Sequence, residues 1–278
     1  MTSRRFRQVD VFTTVPYAGN PVAVVLDGEG LDDELLQRFA SWTNLSETTF
    51  VLPPEDPAAD YRLRIFTPTA ELPFAGHPTL GSCHAWLEAG GTPKDDGSVV
   101  QECAAGLVPI RDVDGGRAFV GPPLVRSGPV DEATMARVVE FLGVDESAVV
   151  DSNWVDNGPG WLGVLLDSAD TVLSVRPGSI DLDVGIVGPY APGGPVDVEV
   201  RGFFQVGGEV REDPVTGSLN ASLAEWLLGS GRLHAPYTAR QGTVIGRNGR
   251  IRITRDADGR IWTGGGAVTC VTGEVDLG

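Results

Sequence analysis

The sequence carries one short pattern twice, and this repeat limits the folds that are open to the chain. Residues 60–66 read DYRLRIF, and residues 197–203, 137 positions later, read DVEVRGF. Residues 77–82 read HPTLGS and residues 213–218, 136 positions later, read DPVTGS. Both hexamers, at 77–82 and at 213–218, lead into an apolar stretch with helical periodicity. Two matching blocks in the same order predict a duplicated unit of roughly 120–135 residues, with strands arranged around one central helix.

Hydrophobic periodicity predicts the elements around these blocks. Turns rich in glycine and proline separate the elements, in keeping with 37 Gly and 20 Pro among 278 residues. A linker is predicted at the proline-rich residues 122–129. Strands are predicted at 7–12, 21–26, 44–52 (after a turn), 60–67, twice within 98–121, and at 161–166. Helices are predicted at 31–42, 80–90, 131–142 and 219–229.

The charge of the chain excludes several classes of partner. With 21 basic and 38 acidic residues the net charge is −17, whereas binding to nucleic acid needs a basic surface. The same charge disfavours an anionic membrane surface. A small anionic substrate stays possible, because a few local donors can outweigh a distant field.

Lysine and cysteine usage argues against several cofactors. Lys94 is the one lysine, so Schiff-base chemistry with pyridoxal phosphate is disfavoured. Three cysteines without a CxxC pair predict neither a disulfide framework nor a zinc site, and no other metal-ligand spacing occurs. The sequence has no long apolar segment and no signal-like start, so we expect a cytoplasmic protein without metal or cofactor.

The repeated hexamers predict an anion-binding cleft. A proline close to a helix start suits the unpaired amides there, and those amides attract a carboxylate or phosphate. If the two halves face each other, His77 and Asp213 stand at two such helix starts. Gly76 and Gly217 permit close approach of the backbone, and Ser218 adds a hydroxyl donor. Asp213 has a structural alternative as an N-cap, whereas His77 is not a favoured cap.

Glu47 is a further candidate catalytic residue. It lies where a turn becomes an apolar strand, and the alternative interpretation is an exposed turn residue without a catalytic role. A partly buried glutamate in this place could act as a general base. His84 and Cys83, on the apolar face of the following helix, are predicted to serve packing, and His234 is predicted to be solvated.

Several motifs together resemble the PhzF-like phenazine-biosynthesis isomerase family. They are NPVAV at 20–24, NLSET at 44–48, FAGHPT at 74–79, EDPVTGS at 212–218 and QG at 241–242. The resemblance runs from about residue 6 to residue 276. It implies the diaminopimelate-epimerase-like α+β fold, in which each of two pseudo-symmetric halves wraps a β-barrel-like sheet around a central helix. The predicted halves are residues 1–124, joined by 267–278, and residues 125–266.

The resemblance also implies roles for individual residues. Glu47 is expected to be the general acid/base, while His77 and Asp213 hydrogen-bond the substrate and help to move protons. Asn20, Gly76, Gly217 and Ser218 are expected to bind the substrate, the last three through its carboxylate. The family's founding reaction is the cofactor-free isomerisation of trans-2,3-dihydro-3-hydroxyanthranilate, a proton shift along a diene. A homodimer and a place in secondary-metabolite or antibiotic biosynthesis are also implied.

Two other functions stay open at this point. Related epimerases place a cysteine at each helix-start motif, but His77 and Asp213 stand there in this chain. An amino-acid epimerase or racemase therefore has to work without thiols. A non-catalytic protein that binds a carboxylate is the third interpretation. The leading prediction is an isomerase that moves a proton and a double bond in a small unsaturated carboxylate.

Overall fold

The structure is a computed structural model that describes residues 2–278 of the chain. The helices are α1 (Asp33–Thr43), α2 (Gly76–Glu88), α3 (Glu132–Leu142), α4 (Ala169–Ser174) and α5 (Gly217–Gly229). The strands are β1 (Thr2–Val11), β2 (Asn20–Val25), β3 (Glu47–Leu52), β4 (Tyr61–Phe66), β5 (Glu71–Leu72), β6 (Ser98–Cys103), β7 (Gly106–Val113), β8 (Gly116–Val120), β9 (Arg126–Gly128), β10 (Val149–Asp156), β11 (Leu162–Leu166), β12 (Val184–Pro189), β13 (Val198–Val206), β14 (Glu209–Asp213), β15 (Tyr237–Gln241), β16 (Gly249–Arg255), β17 (Ile261–Gly265) and β18 (Ala267–Leu277). Short 3₁₀ turns occupy Glu146–Ala148 and Thr243–Ile245.

The chain divides into two compact units. The first contains residues 1–120 and 264–278, and the second contains residues 121–263. None of the helices formed by residues 2–278 has the length and apolar character needed to cross a lipid bilayer.

The sheet of the first unit surrounds α2. Strand β1 pairs with β18 on one side and with β2 on the other, and the sheet continues through β3, β4, β6, β7 and β8. The pairs β2–β3 and β4–β6 are parallel, and α1 and α2 connect them. Helix α2 contacts β1, β2, β3, β4, β6, β8 and β18, and its first eight residues are buried. Helix α2 is therefore the core of this unit.

The second unit has its own sheet around α5. Strand β10 pairs with β9 and β11, and the sheet continues through β12 and β13 to β15 and β16. Here the parallel pairs are β11–β12, connected through α4, and β13–β15, connected through α5. Helix α5 contacts β10 and β16, and ten of its thirteen residues are buried. A mostly apolar helix of this kind needs cover on every side, which the surrounding strands supply.

The order of elements in one unit repeats in the other. In each, a parallel pair around a short helix is followed by an antiparallel strand, a hairpin partner, the buried helix, a parallel strand and an antiparallel strand. The duplication expected from the repeated pattern is therefore present as a repeat of topology.

Two sequence-based predictions are wrong in detail. Residues 98–121 contain three strands rather than two, because the chain also reverses at Asp114 and Gly115, and Gly115 has a φ angle of +83°. Part of the predicted linker, Arg126–Gly128, is strand β9 and pairs with β10. Gly115 supplies the reversal between β7 and β8 at little steric cost, and an Asp-Gly turn is a signal that the sequence contains.

Candidate functional site

Glu47 and His77 lie against each other in the first unit. Glu47 is the first residue of β3, and His77 is the second residue of α2. Oε2 of Glu47 is 3.2 Å from Nε2 of His77, and the side chains are 15% and 6% exposed. Thirty residues of sequence separate them, yet the fold places a carboxylate and an imidazole within proton-transfer distance of each other.

Close packing holds α2 against the strands that carry this pair. Thr49 Oγ1, on β3, lies 2.8 Å from Ser82 Oγ, on α2, in a buried contact. A Cβ atom at Gly81 would lie 2.4 Å from Cγ1 of Val22, so a larger residue there would push the helix away from β2. The distance between Glu47 and His77 is thus fixed by contacts on both of their elements.

Gly76 has a packing role at the start of α2. A Cβ atom there would lie 2.4 Å from the ring of Phe119. Ala75, the N-cap residue, makes no side-chain hydrogen bond to the helix, and the first turn contains no acidic residue. The helix start is therefore left to other acceptors, as the expected binding of a substrate carboxylate requires.

Burial keeps the His77 imidazole neutral. It lowers the pKa of His77 to about 3, against a smaller opposing effect from a hydrogen bond to the backbone of Pro21. The carbonyl oxygen is the only hydrogen-bonding group on a proline backbone, so His77 donates there. Nε2 faces Glu47, which leaves Nδ1 as the donor to Pro21. In that tautomer Nε2 is an acceptor, and it can accept a hydrogen bond from the protonated form of Glu47.

Asn20 begins β2, next to the proline that orients His77, and is buried. The turn before it is held by Asp10, whose Oδ2 accepts a hydrogen bond of 2.9 Å from the Gly19 amide. A Cβ atom at Gly19 would lie 2.1 Å from the carbonyl oxygen of Val11, so only glycine fits. Sequence reasoning missed Asp10. The one signal was an acidic residue between two valines at the end of β1, a strand that also contains Arg4, Arg5 and Arg7.

His77 is expected to make the protein sensitive to acid. Its pKa is about 3 when folded and about 6.5 when unfolded, so the unfolded chain binds the extra proton between these values. Its contribution to stability is complete above pH 6.5 and decreases as pH falls. Between pH 7 and pH 5 we expect wild type to lose about 2 kcal/mol more unfolding free energy than His77→Gln. Urea titrations at the two pH values measure this difference.

The control for this experiment is His234→Gln, because His234 is exposed as the sequence predicted. That variant should lose as much stability as wild type on acidification. Equal acid sensitivity of wild type and His77→Gln would contradict a buried neutral imidazole.

The second unit presents Asp213 beside the start of α5. Asp213 is the last residue of β14 and is 9% exposed. Its Oδ2 accepts a hydrogen bond of 2.6 Å from the Thr216 hydroxyl. Thr216, not Asp213, is the N-cap of α5, and its side chain makes no capping hydrogen bond. The alternative in which Asp213 is the helix cap is therefore wrong.

Gly217 and Ser218 are the first two residues of α5. Trp161 donates its indole N–H to Ser218 Oγ over 3.1 Å, and Asn157 donates to the Ser218 carbonyl oxygen over 3.0 Å. An indole only donates, so the Ser218 oxygen accepts this bond and its own hydrogen is directed elsewhere. The arrangement suits a hydroxyl that donates to a carboxylate. Sequence reasoning missed Trp161 and Asn157.

The pairing of His77 with Asp213 in the repeated hexamers is off by five residues. In the hairpin ladders Leu72 opposite Ile65 corresponds to Asp213 opposite Gly202. A proline follows each of these positions, and Gly76 and Gly217 each begin a helix four residues after Leu72 and Asp213. By structure, Ser218 is therefore the counterpart of His77, and Leu72 that of Asp213. The Pro-x-x-Gly spacing occurs at both registers in the first half, which misled the sequence comparison.

The remaining titratable candidates lie outside the Glu47–His77 pair and outside the polar groups beside the start of α5. His84 lies further along α2, 3.2 Å from Glu88, and burial lowers its pKa. Cys83 is buried in the same helix, as predicted, and burial raises the pKa of its thiol to about 12. A thiolate at Cys83 is thereby disfavoured. Among residues 2–278 no three His, Cys, Asp or Glu side chains are grouped so that they could hold a metal ion.

The first unit also contains a cavity of about 650 Å³ away from the Glu47–His77 pair. Its lining includes Arg5, Asp27 and Trp86, but none of the predicted site residues. Arg5 and Asp27 already form an ion pair of 2.7 Å across it. These two charged side chains of its wall are therefore occupied with each other.

Comparison with known proteins identifies the family. The model of the phenazine biosynthesis-like proteins matches residues 9–273. Antisense-enhancing sequence 1 of Schizosaccharomyces pombe is 35% identical, over 99% of both chains. The trans-2,3-dihydro-3-hydroxyanthranilate isomerase of Pseudomonas fluorescens is 34% identical, over 86% of both.

Solved structures bear out the fold. A PhzF-family phenazine biosynthesis protein from Bacillus anthracis superimposes with a TM-score of 0.83, over 99% of both chains at 24% identity. The predicted α+β fold, diaminopimelate-epimerase-like with one central helix in each half, is confirmed. The chain belongs to the PhzC-PhzF family of phenazine biosynthesis-like proteins, and it is an isomerase.

Proposed function

We propose that this isomerase moves a proton, and with it a double bond, in a small unsaturated carboxylate without the help of a cofactor. The observation that carries the proposal is the contact of 3.2 Å between Glu47 and a buried, neutral His77. A double-bond migration removes a proton from one carbon and returns one to another carbon of the same conjugated system. One carboxyl group that alternates between base and acid can perform both steps.

His77 supports this alternation in two ways. Its Nε2 acceptor gives the acid form of Glu47 a hydrogen-bond partner, and its Nδ1 bond to Pro21 fixes the tautomer. Because the ring stays neutral, His77 itself does not hold the carboxyl group of Glu47 in its ionised form. A carboxyl group that can take up and release a proton is what the isomerisation requires.

In the second unit, binding of the substrate carboxylate is assigned to the start of α5. Gly217 and Ser218 offer helix-terminal amides, and the Ser218 hydroxyl is directed by Trp161 to donate. Asp213 is assigned to a hydrogen-bond donor on the substrate, and Asn20 to a further polar group. The substrate class we propose is trans-2,3-dihydro-3-hydroxyanthranilate or a related unsaturated amino acid, as the named relative suggests.

The test is incubation in D₂O with trans-2,3-dihydro-3-hydroxyanthranilate, followed by NMR of the small molecule against a protein-free sample. We expect the double bond to migrate and deuterium to enter the carbon skeleton. Inversion of one α-carbon with the double bond in place would instead show an epimerase. A folded protein that binds related carboxylates but never exchanges a carbon-bound proton would be a non-catalytic binder. The homodimer, the cytoplasmic location and the place in secondary metabolism remain predictions.

A further inference from the structure

A buried polar cluster in the second unit surrounds Asp213. We call it the Gln241 cluster, and its members are Asp213, Thr216, Asn220 and Gln241. All four are less than 10% exposed, and Gln241, at the end of β15, is fully buried. Polar groups buried to this degree are costly unless they are hydrogen-bonded, so the pattern of donors and acceptors in the cluster is informative.

The orientation of the Gln241 amide follows from its partners. One side-chain atom lies 3.0 Å from the Thr216 backbone N–H and 2.8 Å from the Asn220 amide nitrogen. A backbone N–H can only donate, so this atom is the oxygen Oε1. The other atom is then Nε2, which lies 2.8 Å from Thr216 Oγ1 and 3.2 Å from the Asp213 carbonyl oxygen. Nε2 donates to both.

The direction of the Thr216 hydroxyl follows in turn. Its oxygen accepts the hydrogen bond from Gln241, so its single hydrogen is left for another acceptor. Asp213 Oδ2 lies 2.6 Å away. That separation is typical of a hydroxyl that donates to an ionised carboxylate. The hydroxyl does not cap α5, so this contact to Asp213 is the use that the structure makes of it.

We propose that Thr216 and Gln241 are positioning residues that hold Asp213 as an ionised hydrogen-bond acceptor. The proposal rests on the proposed function, in which Asp213 acts on the substrate. Asp213 then meets the substrate as an acceptor for an ammonium or hydroxyl hydrogen, and not as the group that delivers the first proton. This selects substrates with such a donor, for example amino acids.

The first unit contains a similar glutamine–threonine hydrogen bond, but no carboxylate among residues 2–278 accepts from the threonine there. Gln101 Nε2 donates to Thr79 Oγ1 over 3.0 Å, and Gln101 Oε1 accepts from the Tyr61 hydroxyl. Both Gln101 and Gln241 lie on the strand that follows the central helix. A glutamine–threonine contact therefore serves packing of the helix in both units, and in the second unit it also orients the hydroxyl toward Asp213.

Thr216→Val tests the proposal, since it removes the hydroxyl and keeps the shape of the side chain. We expect kcat to fall about 10-fold to 100-fold, with a much smaller change in KM, and Thr216→Ser to restore most of the rate. In an Asp213→Asn background Thr216→Val should change kcat by less than about twofold, because the two residues act as one unit. Thr171→Val, which removes a hydroxyl that donates to Asp167 elsewhere in the second unit, should leave kcat unchanged.

A second readout does not depend on activity. The ¹³C shift of the Asp213 carboxyl carbon at pH 7, assigned by comparison with Asp213→Asn, is expected at the value of an ionised carboxylate. A shift typical of a protonated carboxyl group, or a kcat loss in Thr216→Val that is equally large without Asp213, would overturn the proposal. Wild-type turnover in Asp213→Asn would instead reject the assigned role of Asp213, and the ¹³C shift would still report on the cluster.

Discussion

Replacement of Glu47 by glutamine is expected to lower kcat by about 10²-fold to 10⁴-fold, the usual contribution of general acid/base catalysis. Glutamine has nearly the same shape and can still form hydrogen bonds with His77 and with a substrate. It cannot accept a proton from carbon and return it. The loss should therefore appear in kcat, while KM changes little. Steady-state turnover and the rate of deuterium uptake in D₂O measure the two aspects of the same step.

The matched control is Glu34→Gln on α1. Glu34 is highly exposed, and its only ion pair in residues 2–278 is a contact of 3.7 Å with Arg38 one helical turn away. Such a pair contributes little to stability, so the variant should stay folded. Since Glu34 has no assigned part in the reaction, turnover should equal that of wild type. Thermal unfolding of Glu47→Gln establishes that the variant is folded. Turnover of that folded variant within about fivefold of wild type would be too fast for the loss of a general acid/base, and Glu47 would be rejected in this role.

The fold was predictable because the sequence contains an internal repeat. The strand pattern before each central helix and the apolar, helix-periodic stretch that forms the helix predict a duplicated unit. The pairing of β4 and β13 with their neighbours follows that pattern. Local signals were sufficient where a helix end depends on one residue. Asp32 and Asp131 cap α1 and α3 by accepting hydrogen bonds from the Leu35 and Thr134 amides, and Gly143 ends α3 at a φ of +64°.

The candidate site was less accessible to sequence reasoning, because its contacts join elements that are distant in the chain. The repeated hexamer singled out His77 and a strand start singled out Glu47, and the family resemblance implied their roles. No spacing rule predicts that this strand start lies against this helix start. Asp10, Trp161 and Gln241 act through hydrogen bonds to Gly19, Ser218 and Thr216. A single polar or indole side chain is a weak signal in a sequence, since many such side chains have no such partner.

The second large effect is expected from Arg201, whose guanidinium is buried in the second unit. Its side chain is 2% exposed and forms a two-point ion pair with Glu212, with Nε–Oε1 and Nη2–Oε2 distances of 3.0 and 2.8 Å. Nη1 also donates to the carbonyl oxygens of Val172 and Val175, at the end of α4. Arg201→Met removes all four bonds and leaves a mostly buried carboxylate without its counter-ion. We expect a loss of about 3–5 kcal/mol in unfolding free energy, measured by urea titration.

Two comparison variants separate burial from charge. Arg232→Met removes an ion pair of 3.0 Å with Asp151 whose partners are 45% and 34% exposed, and it should cost at most about 1 kcal/mol. Arg201→Met combined with Glu212→Met should be more stable than Arg201→Met alone, because the penalty comes from the unpaired carboxylate and not from the loss of attraction. A single-variant loss below about 1 kcal/mol would show that water reaches Glu212. Because Glu212 directly precedes Asp213 on β14, the same buried pair also anchors the strand that carries the proposed acceptor.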